Sequence, residues 1–288
     1  MTDAAKNMGA SVRARLLTHS RERRQTFETV LTRYALERLL YRLAQTEHGQ
    51  RFVLKGAMLL MTWLEIPLRA TRDLDFLAFG EPSPEGMLQV FKAVLSREVD
   101  DDGVTFDAEA LTVDRIREGV AYGGLRLQTW ASVGGARVRV AIDIGFGDAV
   151  EPGVEEVEYP TLLDMPAPRL RTYARETVIA EKFQAMVALG RANTRMKDFY
   201  DIWTLHQQFA FNDDRLARAI KATFARRETV LPMEPPDALT PAFAEDQDKQ
   251  RQWRAFIDGV AVDPGSLAKV IAEIAVFLMA HTKSARSL

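Results

Sequence analysis

The chain has 288 residues, with 38 Lys and Arg against 40 Asp and Glu, a formal net charge of −2 and 47% hydrophobic residues. That balance suits two modest globular domains; it excludes an intrinsically disordered chain and gives no global basicity of the kind that announces nucleic acid. There is no cysteine, so disulfides, thiolate zinc sites and cysteine nucleophiles are excluded too.

The N-terminal segment is polar and lacks the apolar core of a signal peptide, and no apolar stretch is long enough to span a bilayer. The expectation is a soluble, cytoplasmic protein with no membrane partner. Residues 11–47 read as helix throughout, with Phe27, Val30, Leu31, Tyr34, Leu36, Leu39, Leu40 and Leu43 at spacings of three and four. At its start Arg13, Arg15, Arg21, Arg23 and Arg24 face a single acid, Glu22. Such a face fits either a solvated helix surface or a bound polyanion.

"RFVLKGAMLLMTWL" then reads as a short strand over 52–54, a glycine turn at Gly56 and a short helix. "DLDFLAFG" reads as a strand stopped by Gly80, and "PEGMLQVFKAVLSRE" as an amphipathic helix with a proline near its start. Strands follow at 104–113, 124–133 and 137–146, separated by "EGVAYGG" and by "GG", so the last two form a hairpin. This order gives an α+β class with a mixed sheet. Pro152, Pro160, Pro166 and Pro168 mark a boundary, dividing the chain into 1–168 and 169–288. Beyond it helices are expected at 175–190, 197–209, 213–227 and 264–283, with "VLPMEPPDALTP" as a loop.

Three acids stand out against this framework. Strand side chains alternate, so Asp73 and Asp75 project together while Leu74 and Phe76 project the other way. Two like charges in a partly dry site repel, and a divalent ion removes that repulsion. Hard oxygen ligands suit Mg²⁺ or Mn²⁺, which share their shell with substrate phosphates. In "RVRVAIDIGFG", Asp143 falls opposite to Val138, Val140, Ile142 and Ile144, an unusual place for an acid unless it is paired or ligates something. Three such carboxylates suit the metals of a phosphoryl-type transfer. Upstream, Lys55 and Gly56 stand in a turn where backbone N–H groups can approach phosphate, although "LKGAMLL" is no Walker loop. His19, His48, His206 and His281 are scattered, without zinc spacing.

Taken in order, "FVLKGAMLLMTWL", "RATRDLDFLAFG", "VRVAIDIGFGD", "ETVIAEKFQAMVALG" and "RMKDFYDIWTL" resemble the AbiEii/AbiGii group of nucleotidyltransferase toxins, which includes the MenT toxins. The resemblance covers about residues 10–210. It implies a polymerase-β-like nucleotidyltransferase core with a mixed sheet, followed by a helical C-terminal domain. It implies nucleotide transfer from a nucleoside triphosphate with loss of pyrophosphate, and in MenT-like members the acceptor is the tRNA 3′ end. It also implies a cognate antitoxin. Carried over, Lys55, Gly56 and Ala57 stand at the glycine turn, with Arg72 as a further nucleotide contact. Asp73 and Asp75 stand at the metal-binding D-x-D, Asp143 at the third carboxylate of the wider superfamily, Lys182 at the "EK" lysine and Asp198 in the later helical motif. The turn usually reads Gly-Gly or Gly-Ser, and here it is Gly56-Ala57.

On their own terms, Glu181 and Lys182 interrupt an apolar helix stripe, and Lys182 is either a phosphate-reaching cation or a snorkelling edge residue. Asp198 and Asp201 share a helix face, where one can accept a proton from an attacking hydroxyl or pair with Lys182 or Arg195. The resulting expectation is an Mg²⁺-dependent toxin nucleotidyltransferase, its catalytic residues Asp73, Asp75, Lys182 and Asp198. The alternatives are transfer to a protein or small molecule, or a non-catalytic binding module of the same fold.

Overall fold

The computed structural model describes residues 7–64, 71–116 and 123–288. The first two residues of "RATRDLDFLAFG" and most of "EGVAYGG" lie outside the described residues.

The N-terminal helical stretch is two helices, α1 (Met8–Glu22) and α2 (Phe27–Ala44), which corrects the reading of unbroken helix. Thr26 ends the continuity: its hydroxyl accepts from the Thr29 N–H and caps α2, while Arg24 takes a φ of 52°. Apolar spacing runs across this break, so periodicity alone does not register it. Strand β1 (Phe52–Lys55) feeds directly into the short helix α3 (Gly56–Leu60). Then come β2 (Asp73–Ala78) and α4 (Pro84–Leu95), the latter capped by Ser83 with proline in its first turn.

The expected strand at 104–113 is two short strands, β3 (Val104–Phe106) and β4 (Thr112–Ile116). Both pair antiparallel with β5 (Gly124–Val133), which forms the expected hairpin with β6 (Ala136–Phe146). Gly134 and Gly135 make its turn at φ 52° and 84°, the left-handed pair that a two-residue hairpin loop favours. The proline-bearing stretch holds two further strands, β7 (Val154–Glu158) and β8 (Arg169–Tyr173).

The eight strands form one mixed sheet in the order β3-β5-β6-β2-β1-β8-β7, with β4 also on β5. β2 runs parallel to β6 and β1 to β8, while β1–β2 and β5–β6 are antiparallel. One sheet face is apolar: Leu74, Phe76, Leu127, Val140 and Ile142 are essentially inaccessible. Each such side chain contributes roughly 1.5–3 kcal/mol on burial. α1 packs against β5, and α2 against β5 and β6, on this buried side.

The chain divides into two compact units, each with its own core; the first comprises the described residues up to 147 together with Glu156–Thr172, the second Asp148–Glu155 and Tyr173–Leu288. The second is helical: α5 (Arg175–Leu189), α6 (Met196–Gln208), α7 (Asp213–Arg226), α8 (Pro241–Ala244), α9 (Gln247–Ile257) and α10 (Leu267–Ser287). α5 and α10 both pack on α7, with Phe183 and Phe224 in contact at 5.3 Å between ring centres. Among the described residues no helix is long and apolar enough to cross a membrane.

Candidate active site

The first unit's strand register gathers charge into a single line. Lys55 of β1 lies opposite Asp75 of β2, Asp75 beside Asp143 of β6, and Asp143 opposite Arg126 of β5. One row across four strands therefore reads cation, anion, anion, cation. Asp73 sits two residues back on the same face, beside Ala141. Both aspartates are half-buried while Leu74 between them and Phe76 after them are buried, so the alternation expected from the sequence holds.

Gly56 is required here for two reasons. Its φ of 70° is left-handed, and a Cβ at this position would stand 1.9 Å from Asp75 Oδ2. The missing side chain is the space that the Asp75 carboxylate fills. Ala57, the next residue, is buried, so a methyl is accommodated where a second glycine or a serine is the commoner residue. Arg72 is exposed. The buried Thr71 places its hydroxyl 3.3 Å from Asp73 Oδ1, tethering that carboxylate to its own strand.

Asp143 is engaged. Arg126 grips it in a fork, donating from Nε to Oδ1 at 2.7 Å and from a terminal nitrogen to Oδ2 at 2.5 Å. The hydrogen bond to Asp143 raises the Arg126 pKa above its usual range, and the charges of Asp143, Asp73 and Asp75 add to the effect. Arg126 therefore feels all three carboxylates. Reading the sequence missed it, although the hairpin contains the signal: counting seven residues outward from the pair Val133–Ala136 reaches Arg126 and Asp143.

Mg²⁺ commonly takes one or two carboxylates and completes its shell with water and phosphate oxygens. Asp73 and Asp75 fit that requirement. Asp143 enters the same row already held by the Arg126 fork. Among the described residues no group of three or more His, Asp or Glu is gathered for a metal ion. The donor set suits an ion shared with a substrate's phosphates, not one caged by protein alone.

The second unit brings its own expected residues together. Lys182 Nζ lies 2.8 Å from Asp198 Oδ1 and 2.8 Å from Asp201 Oδ2, and both acids are fully buried. Arg195 donates from Nε to the other Asp198 oxygen at 2.6 Å. Burial opposes ionisation of Asp198, but Lys182 and Arg195 outweigh it and hold its pKa below the ordinary value. An acid this buried, with both oxygens occupied, is a poor proton acceptor for a hydroxyl. Glu181, next in sequence, turns to other partners: it accepts from the Tyr173 hydroxyl at 2.9 Å and pairs with Arg227 at 3.3 Å.

The family model described as "Nucleotidyl transferase AbiEii toxin, Type IV TA system" matches residues 38–273. Two crystal structures from Helicobacter pylori share the fold. One is of JHP933, at 17% identity and a TM-score of 0.52, covering 91% of this chain and 95% of that one. The other is of a protein described as a candidate nucleotidyltransferase, at 19% identity and a TM-score of 0.51, covering 89% of this chain and 96% of that one. No curated protein matches the sequence.

Proposed function

The chain belongs to the AbiEii family of nucleotidyltransferase toxins of type IV toxin–antitoxin systems, and on that premise we propose that it transfers a nucleotide from a nucleoside triphosphate to the 3′ end of tRNA. The 3′-hydroxyl oxygen bonds to the α-phosphorus, the α–β phosphoanhydride bond breaks, and pyrophosphate leaves. The hydroxyl proton passes to solvent. The blocked 3′ end can no longer be aminoacylated, which accounts for growth inhibition by a toxin of this family. A cognate antitoxin is part of such a system.

The observation that carries this reading is the charged row over Gly56. Asp75 is seated in the space of an absent side chain, Asp73 shares its face, and Lys55 stands opposite at the entrance to α3. Mg²⁺ held by Asp73 and Asp75 would supply charge neutralisation to the triphosphate when bound. Lys55 is assigned to phosphate binding. Lys182, fixed between two buried carboxylates, is a pre-positioned cation, and we assign it to phosphate binding as well. Asp198 and Asp201 are positioning residues that act through it.

The test is incubation with each α-labelled nucleoside triphosphate and Mg²⁺ in the presence of tRNA, total cell protein or small-molecule acceptors. Label at the tRNA 3′ end supports the reading. Label in protein or small molecules alone rejects the tRNA acceptor, and shortened RNA rejects transfer in favour of cleavage.

A further inference from the structure

The sheet face that carries the carboxylates continues away from them along the β5–β6 hairpin. Arg126, Gln128 and Trp130 of β5 share this face with Arg139, Ala141 and Asp143 of β6, and all six are exposed or half-buried. The residues between them are buried on the other face, under α1 and α2. Trp130 lies directly opposite Arg139, and the Arg137 guanidinium stacks on its indole at 4.0 Å. Four residues on, roughly 14 Å along the strands, lies the Asp143–Arg126 pair.

Two features of this strip ask for a ligand. Trp130 is 36% exposed, which is unusual for so large an apolar side chain. And among the described residues neither Arg137 nor Arg139 pairs with an acid, whereas Arg126, Arg195, Arg215 and Arg227 each do. An aromatic surface flanked by two uncompensated cations matches one chemistry: flat bases on a polyanionic backbone. Bases locked in a duplex cannot lie on a single indole, so the match is to a single-stranded end. The neutral Gln128 and Ala141 leave an uncharged stretch of floor from this platform toward the carboxylates.

We infer that the Trp130–Arg137–Arg139 strip seats the single-stranded 3′ end of a nucleic-acid acceptor. A base stacks on Trp130 and backbone phosphates lie on the two arginines, with the terminal hydroxyl leading toward Asp73 and Asp75. This deepens the transfer reading and, for the direction of the strand, rests on it.

The test is fluorescence anisotropy of a short labelled single-stranded oligoribonucleotide with the full chain, in EDTA and without triphosphate. Trp130→Ala and Arg137→Gln/Arg139→Gln are compared with wild type, and melting curves verify that each variant is folded. Each is expected to lose about tenfold or more in affinity. The double arginine variant should also flatten the dependence of log affinity on log salt by about 1.4, two phosphate contacts on a single strand. Trp130→Phe should retain binding. Absence of RNA binding by wild type overturns the inference, as does unchanged affinity in folded variants. So does loss of a protein partner through these residues with RNA affinity intact. Because binding is read without triphosphate or divalent ion, failure of nucleotide transfer is a separate result that leaves this one standing.

Discussion

The Asp75 carboxylate occupies the position a Gly56 side chain would take: an ideal Cβ there would stand 1.9 Å from Oδ2 and 2.6 Å from Cγ. The left-handed φ of 70° adds backbone strain to any substitution. Gly56→Ala is therefore expected to displace Asp75 and to cut transfer by at least about a hundredfold, because a reacting group moved by an ångström loses its alignment. Steady-state kinetics beside a melting curve checks this. Full activity in Gly56→Ala would mean that the carboxylate's placement is incidental.

Asp143 and Asp75 are register partners, and each predicts its own consequence of substitution. Asp143 is neutralised by the Arg126 fork, with its side chain 15% exposed. Asp143→Asn should lower activity by about tenfold to a hundredfold, the scale of one hydrogen bond to a charged group. Asp73→Asn and Asp75→Asn should abolish it. Titration of Mn²⁺ into each variant provides the second readout: affinity falls in the latter two and holds in the first. Equal loss in all three would place Asp143 in the metal set beside Asp73 and Asp75.

The buried acid beside Lys182 predicts a response to low pH. The Asp198 pKa is depressed below its unfolded-chain value of 3.8, burial being outweighed by Lys182 and Arg195. A depressed carboxylate contributes stability above the unfolded pKa and loses it as pH falls through the folded one. The melting temperature of wild type should therefore drop as the pH is lowered below about 4, and that of Asp198→Asn should drop less. Lys182→Met leaves two buried acids without their lysine and is expected to destabilise by about 3–5 kcal/mol. Lys182→Arg should recover part of that.

What the sequence made legible follows from what each pattern encodes. Period-two alternation suffices for Asp73 and Asp75 to share a face, and the double glycine sets the β5–β6 register. The Lys182–Asp198 pairing was open as one of several possibilities, because two helices joined by a loop do not reveal how they rotate against each other. Strands β7 and β8 escaped notice because prolines flank them, and proline reads as loop. Arg126 was missed because an exposed arginine on an alternating strand looks solvated until its cross-strand partner is counted out. Helix α9 was missed because only Lys249 and Trp253 along it are buried, leaving too faint a stripe.

Glu37 of α2 makes a prediction of opposite sign to Asp198. Burial raises its carboxyl from 4.5 to about 7, against the Leu162 N–H that donates to it at 2.7 Å and the nearby Arg38 and Arg33. A raised carboxyl contributes stability fully below 4.5, and that contribution is lost as the pH rises to about 7. The loss is roughly 3 kcal/mol when complete. Glu37→Gln keeps an acceptor for Leu162 without the charge. It should melt above wild type at pH near 8 and close to it at pH near 4.5. An equal gap at both pH values would contradict the assignment.

The most direct test of the central claim is transfer by wild type and Asp75→Asn, assayed side by side with α-labelled triphosphates, Mg²⁺ and purified tRNA on a sequencing gel. Label on the tRNA 3′ end with the wild-type chain, and none with the folded variant, is the predicted result. Undiminished labelling by Asp75→Asn, or a wild-type chain that labels no tRNA with any of the triphosphates, would contradict it.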